Sequence, residues 1–599
     1  MTRGTWIPQS IVLLAILAVC SCATDRAAEV AVGVAAERDQ LRSFAVYPVE
    51  KIRPRAIIDR YASADSPTVS IAGFEREACL VGIQNGSPEA VEISSVTISA
   101  PGRTGLLQLV DVSVYRVEYA DIEKGTIPIG GWDQGGRWPD PLIPVAAQPG
   151  TMHQTDELRF AFPTPVEVPT RENRIILVDI FLPQTVARAV REQPLVVDLL
   201  DDRGVQLTST LVTVRLLPFE LPRDQSLATT VGFSWPRVAR THSAISETPV
   251  DAGALHLDYL HELAKNRMFV FWPSASAVEA NYAEDGSLVV DWSPFEKITG
   301  RMLDGTLFPD VPRATAFRFP MHAGYPDGAG AQFTIAAAEY LEEKGWIDRA
   351  YYYLPDEPLR RQYPAVRDVA ARVLARAPGV RRLATEPYVR ALEGSVEIWC
   401  PDVFALGHGL PVLPAFYKGN TLYLEWQWNR LPRVYEKRRS LGEESWFYTC
   451  STAQSGTYPN LFIDYPAAYH RVIGWLAFRY GFSGYLHWST SYSYAGDGNP
   501  WEDQYRVYAN GDGNLLYPGV PEYTGLDQHV AVPSLRMILF REGADDYEYL
   551  SLLAAQGEEG AARADRIARS IVGDSQLWKR DVDDYGSAKE EIIAVLLRN

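Results

Sequence analysis

The sequence predicts a β-sandwich followed by a (β/α)8 TIM barrel with a helical C-terminal tail, and three observations carry that expectation. Early in the chain, short runs alternate apolar and polar residues. The middle replaces this rhythm with apolar strands separated by amphipathic helices. The last stretch keeps only the helical period.

The first residues stand outside that plan. Arg3 gives a basic start, and Ile11 to Val19 is an apolar run too short to span a bilayer comfortably. It ends in Val19-Cys20-Ser21-Cys22, which looks like a bacterial lipobox, with Ser21-Cys22 the better fit. Residues 1–22 are therefore expected to be a lipoprotein signal peptide, with Cys22 the lipidated residue, and 23–40 a tether. The expected location is the cell envelope of a bacterium, lipid-anchored, periplasmic or at the outer-membrane surface.

Residues 41–222 are the expected sandwich. Val69 and Ile71, Val91 and Ile93, Val110, Val112 and Val114, and Val212, Val214 and Leu216 recur at every second position. Turn residues such as Asn85-Gly86-Ser87-Pro88 and Asp202-Arg203-Gly204 punctuate them. Pro218 and Pro222 bracket a stiff link.

Residues 223–540 are the expected barrel. Its strand candidates are Thr229–Trp235, Met268–Trp272, Ala314–Phe319, Tyr351–Leu354, Arg382–Thr385, Val396–Cys400, Trp446–Cys450 and Gly484–Trp488. One helix between them places Tyr363, Val366, Val369, Ala370, Val373 and Leu374 on a face and stops at Pro378-Gly379. Another starts at Asp464-Tyr465-Pro466 and stops at Gly481. An open doubly wound sheet is the alternative, weakened because no Gly-rich dinucleotide fingerprint follows the first strand. Residues 541–599 are the expected helical extension packed on the barrel. Asp545, Asp546 and Glu548 read there as a solvated helix face, with ion pairing in helix packing as the other reading for Asp545-Asp546.

Composition narrows the function. The 57 Lys and Arg against 75 Asp and Glu leave a net charge of −18, the opposite of a nucleic-acid footprint. Cys79, Cys400 and Cys450 form neither a disulfide framework nor a metal-site spacing. A bridge between Cys400 and Cys450, which end two strand candidates, stays open. No cofactor is expected.

In a barrel, chemistry sits at the carboxyl ends of the strands. Those ends carry Trp235-Pro236, Trp272-Pro273, Pro320-Met321-His322, Pro355-Asp356-Glu357-Pro358, Glu386-Pro387, Trp399-Cys400-Pro401-Asp402, Thr449-Cys450 and His487-Trp488. Rings and carboxylates in a concave site suit a sugar: apolar sugar faces stack on rings, and acetal cleavage needs a proton donor. Asp356-Glu357 is the sharpest feature, because flanking prolines restrict the backbone and hold both side chains at the mouth. Trp488, Trp399 and Tyr492 are candidate stacking rings, and His322 a candidate partner for a sugar hydroxyl.

Four stretches together resemble glycoside hydrolase family 123, also described as domain-of-unknown-function family 4091. They are Tyr353 to Pro358; Glu397-Ile398-Trp399-Cys400-Pro401; Trp446 to Cys450 with Tyr458-Pro459-Asn460 and Arg471 to Trp488; and Gly511-Asp512-Gly513 with Tyr517-Pro518-Gly519, Pro533 to Arg536 and Arg541 to Leu550. The resemblance implies a retaining β-N-acetylgalactosaminidase working by substrate assistance. Asp356 would orient the substrate's acetamido group, whose oxygen attacks the anomeric carbon, and Glu357 would protonate the leaving oxygen. Two alternatives remain: a conventional glycosidase pairing Glu357 with Glu386 or Asp402, and a non-catalytic glycan-binding lipoprotein.

Overall fold

The computed structural model describes residues 40–61, 66–102, 105–126, 134–148, 156–186, 189–271, 278–321, 329–406, 431–451, 456–494, 498–505 and 509–598. Cys22 and His322 lie outside them, as does Trp272.

Among the described residues, ten strands precede residue 221: β1 (Leu41–Val46), β2 (Thr68–Gly73), β3 (Glu75–Asn85), β4 (Val91–Ser99), β5 (Asp111–Ile122), β6 (Gly136–Val145), β7 (Glu157–Val168), β8 (Asn173–Leu182), β9 (Arg191–Leu200) and β10 (Gln206–Glu220). They form two five-stranded sheets, ordered β1-β3-β8-β5-β6 and β2-β10-β9-β4-β7. Val81 and Val178 from the first sheet meet Ile71, Ile98, Val197 and Val214 from the second, so the alternating residues fill the space between sheets. The first sheet is covered on its other face as well. Leu80, Tyr115 and Leu177 pack there against Tyr465, Val472, Trp475, Ile538 and Tyr549 from later in the chain. β8, Asn-Arg-Ile-Ile-Leu-Val-Asp-Ile-Phe-Leu, is buried at every position, as a strand covered on both faces requires.

The barrel begins at β11 (Ala228–Val231). A side hairpin, β12 (Glu279–Tyr282) and β13 (Leu288–Asp291), precedes β14 (Phe317–Arg318), β15 (Ala350–Tyr353), β16 (Arg381–Ala384), β17 (Ile398–Trp399), β18 (Glu444–Thr449) and β19 (Gly484–His487). These form a parallel sheet ordered β11-β19-β18-β17-β16-β15-β14. The space between its edges is occupied by residues 269–271. Val231 N–H donates to the Phe269 carbonyl at 2.8 Å, Phe271 N–H to Val231 at 2.9 Å, and Arg318 N–H to Phe271 at 3.1 Å. Seven strands and this short segment therefore occupy the eight expected positions. The first strand is shorter than expected: it stops at Val231, and Trp235 opens the helix Trp235–Ile245, with Pro236 in its first turn.

Alternation along the barrel strands sorts side chains into two sets. Tyr351, Leu383, Ile398, Trp446, Tyr448 and Leu486 pack together inside the barrel. Tyr352, Trp399, Phe447 and Tyr485 belong to the layer shared with the outer helices. Inside, the Tyr351 hydroxyl meets Thr230 Oγ1 at 2.8 Å, and Trp446 sits edge-on to Tyr351 with ring centroids 5.5 Å apart.

After β19 the chain forms the hairpin β20 (Leu516–Gly519) and β21 (Val530–Pro533), then helices Leu535–Ala554, Glu558–Ile571 and Val582–Leu596. The first helix runs unbroken past residue 540, where the tail was expected to begin. Its acidic residues are not solvated. Asp545, Asp546 and Glu548 are each at most 1 % exposed. Arg267 pairs with Asp545, Arg471 with Asp546 at 2.7 Å, and Glu548 accepts from Ser226. The helix is sandwiched between barrel and β-sheets, so its charged face meets cations from distant segments instead of water.

Candidate active site

The site is built at the end of β15. Tyr353, in the same interior phase as Tyr351, is followed by Leu354-Pro355-Asp356-Glu357-Pro358. Asp356 is exposed and Glu357 partly so. Glu357 has a φ of 40°, in the left-handed region that costs a residue with a Cβ roughly 1 kcal/mol or more. Surrounding bonds hold it there: its backbone N–H donates to Thr385 Oγ1 at 3.1 Å, and its carboxylate accepts from the Tyr448 hydroxyl.

Asp356 is held equally firmly. Its Oδ1 accepts from the Tyr353 hydroxyl at 3.0 Å and from Thr385 Oγ1 at 2.8 Å. Burial, reinforced by the Asp356 charge, keeps the Tyr353 phenol protonated well above its ordinary range, so it stays a donor. The two carboxylates thus draw hydroxyls from β15, from the end of β16 and from β18. Tyr353, Thr385 and Tyr448 were not singled out from sequence. The available signal was parity: each is a polar group two positions on from an interior residue (Tyr351, Leu383, Trp446) at the last turn of a strand.

Beside the pair lies a cleft of about 440 Å³ lined by Arg318, Met321, Tyr353, Pro355 and Asp356 among others. Arg318 shares the interior phase of Ala316, and its guanidinium lies 5.4 Å from the Tyr353 ring centroid. Across the mouth, Trp488 follows Leu486 in the same phase and is half-buried, with the 37 % exposed Tyr492 beside it. Their ring centroids are 4.9 Å apart at 56°, making a corner of two aromatic faces.

Trp399 does not join that corner. It is fully buried on the helix side of β17, and its indole N–H donates to Glu443 at 2.7 Å. Ile398 and Cys400 take the inward places, so Trp399 necessarily points away. The alternative carboxylates are also withdrawn. Glu386 is 4 % exposed and accepts from Tyr363; Asp402 is 1 % exposed and accepts from Phe404 N–H and the Cys450 thiol. Cys400 and Cys450 are not bridged to each other. Among the described residues, no group of three or more His, Cys, Asp or Glu side chains is arranged to hold a metal.

Residues 329–553 match the glycoside hydrolase 123 catalytic domain. The fold agrees with a solved family 123 glycoside hydrolase from Clostridium perfringens, described in work on glycolipid glycan hydrolysis. That structure superposes with a TM-score of 0.58 at 15 % identity, over 93 % of this chain and 99 % of the other. A second structure, EndoBT-3987 of Bacteroides thetaiotamicron with a Man5GlcNAc product, covers 78 % of this chain and 96 % of its own at 10 % identity, and its TM-score of 0.20 gives it no weight. No curated protein matches the sequence. Barrel, acidic strand end and family match define a glycosidase. Residues 329–553 carry the likeness to the glycoside hydrolase 123 catalytic domain, and the chain shares the fold of the solved family 123 enzyme.

Proposed function

We propose that the protein is a retaining β-N-acetylhexosaminidase that removes terminal β-linked N-acetylgalactosamine by substrate assistance. The supporting observation is that two successive carboxylates, Asp356 and Glu357, both reach hydroxyls of the barrel interior from a single strand end. In this reading Asp356 accepts the acetamide N–H and turns its carbonyl oxygen toward the anomeric carbon. That oxygen forms the new C–O bond as the glycosidic bond breaks, and Glu357 delivers its proton to the leaving oxygen. An oxazoline-type intermediate results. Glu357, now ionised, takes a proton from water as water opens the ring with net retention. Holding the acetamide in attack geometry supplies much of the acceleration. Trp488 and Tyr492 would stack on the sugar's apolar face.

The nucleophile belongs to the substrate, so no second carboxylate is needed across the ring. Burial of Glu386 and Asp402 favours this over the two-carboxylate alternative. A glycolipid glycan is the natural substrate class to try first. Cys22 would anchor the enzyme to a bacterial envelope membrane, testable by loss of lipid labelling in Cys22→Ala.

The deciding experiment compares aryl β-N-acetylgalactosaminide with the glucosaminide and with the plain galactoside. The reading requires turnover of the first, little of the last, and tight inhibition by a thiazoline mimic of the intermediate. Equal rates on glycosides lacking the 2-acetamido group would sink it.

A further inference from the structure

The segment Gly511-Asp512-Gly513 has no part in the chemistry above, yet it touches the Trp488 ring and the backbone of Tyr492 at the mouth. The Trp488 indole N–H donates to Asp512 Oδ1 at 3.1 Å. The Trp488 ring lies against the Cα of Gly513, where a Cβ would sit 2.2 Å from Cζ2. Gly513 also has φ +67°, a conformation that strains any residue with a side chain. Its carbonyl accepts from the Tyr492 backbone N–H at 2.9 Å, and Ser491 forms an antiparallel bridge with Asn514. One short loop therefore fixes the edge and one face of Trp488 together with the backbone of Tyr492.

The loop is itself anchored. Arg536 donates to the carbonyls of Gly511 at 2.9 Å and Asn514 at 2.7 Å. Trp488's own backbone is clamped from the other side by Gly232: its carbonyl would lie 2.0 Å from a Cβ there, and Gly232 N–H donates to His487 at 2.9 Å. Asp512 is 3 % exposed, an expensive place for a carboxyl group, and there it receives the Trp488 indole and the backbone N–H of Ser451.

We propose that the Gly511-Asp512-Gly513 loop positions the sugar-stacking wall, with Asp512 as the positioning residue that sets the Trp488 ring. Asp512 touches no reacting atom; it acts through Trp488. The inference rests on the reading of Trp488 as a sugar platform. It extends that reading by assigning a site-forming role to a loop outside the barrel strands.

A double-mutant cycle tests it, using the aryl glycoside that the wild-type enzyme hydrolyses best. Asp512→Leu removes the acceptor, and Asp512→Asn keeps one oxygen for the indole. Asp512→Leu is expected to raise KM roughly fivefold and to lower kcat less, while Asp512→Asn stays within about twofold. Combining Asp512→Leu with Trp488→Ala should add no more than about twofold to Trp488→Ala alone, because the ring through which Asp512 acts is gone. Additive losses would overturn the proposal. A crystal structure of Asp512→Leu reads the same point without activity: a Trp488 ring turned from its place on Gly513 supports it, and an unmoved ring overturns it. Failure of the glycosidase reading shows separately, in the wild-type enzyme's substrate panel.

Discussion

Arg536 and Asp140 form a two-pronged ion pair at which neither side chain has any solvent exposure. Nε and Nη2 each reach one carboxylate oxygen at 2.9 Å. The remaining guanidinium hydrogens go to the carbonyls of Leu461, Gly511 and Asn514, so all five donors are satisfied. Asp140 belongs to the sandwich and Arg536 to the helix behind the barrel, so the pair rivets one domain to the other at the loop under Trp488. Asp140→Asn leaves a buried cation without its counter-charge, and should cost about 3–5 kcal/mol in urea unfolding. A loss below about 1 kcal/mol would show that the pair merely breaks even.

Glu357→Gln should lower kcat on an aryl 2-acetamido-β-galactoside by roughly 10²–10⁴. The loss should shrink with a dinitrophenyl leaving group, which departs without a proton. Asp356→Asn should be severe with both leaving groups, since the proposed mechanism needs acetamide attack in either case. Equal losses across leaving groups for Glu357→Gln would remove its role as proton donor.

Tyr448→Phe and Thr385→Val each delete a hydroxyl that donates to Glu357 or Asp356, the proposed catalytic carboxylates. A hydrogen bond to a charged group is worth about 1.5–3 kcal/mol, so kcat/KM should fall roughly tenfold or more while thermal unfolding moves by only a few degrees. Unchanged kinetics would mean that the carboxylates hold their places without these donors.

Trp399 and Trp488 should separate cleanly. Trp399→Phe deletes a buried indole and its bond to Glu443, so it should cost stability by about 1–3 kcal/mol with KM unchanged. Trp488→Ala should do the reverse and raise KM. Steady-state kinetics beside denaturant melts distinguish the two.

Burial pushes the Asp512 carboxyl up to about 7, against the pull of the Trp488 and Ser451 N–H groups and the Arg536 charge; Asp402 adds to the rise, and Tyr485 faces the same space. An acid whose folded value lies above its unfolded one favours folding at low pH, and that contribution is lost as pH rises from about 4 toward 7. Asp512→Asn has no such titration. Its stability relative to wild type should therefore improve as pH increases through that window and level off above it. A difference independent of pH would contradict the assignment.

The order of architectures was legible because period-2 and period-3.6 patterning survive without knowledge of contacts. Each of the eight barrel positions overlaps its expected run, and Asp356-Glu357 stands at the strand end where the prolines put it. What escaped was side-chain direction at the rim. Trp399 and Trp488 both end strands, but only parity relative to Ile398 and Leu486 tells that one faces the helices and the other the mouth. The charges of Leu535–Ala554 misled for another reason. Their partners, Arg267, Arg471 and Asp179, lie far away in sequence, so a run that pairs inside the molecule looks like a run that meets water.

The hydroxyls that hold Asp356 and Glu357 come from Tyr353, Thr385 and Tyr448, rooted on three different staves of the barrel. None of them can do its work alone. A slip of one stave against the next would leave most helices and sheets intact while scattering the constellation. Turnover should therefore vanish on warming before the bulk of the fold melts. In this enzyme the rate of catalysis is a gauge of whether the cask is closed.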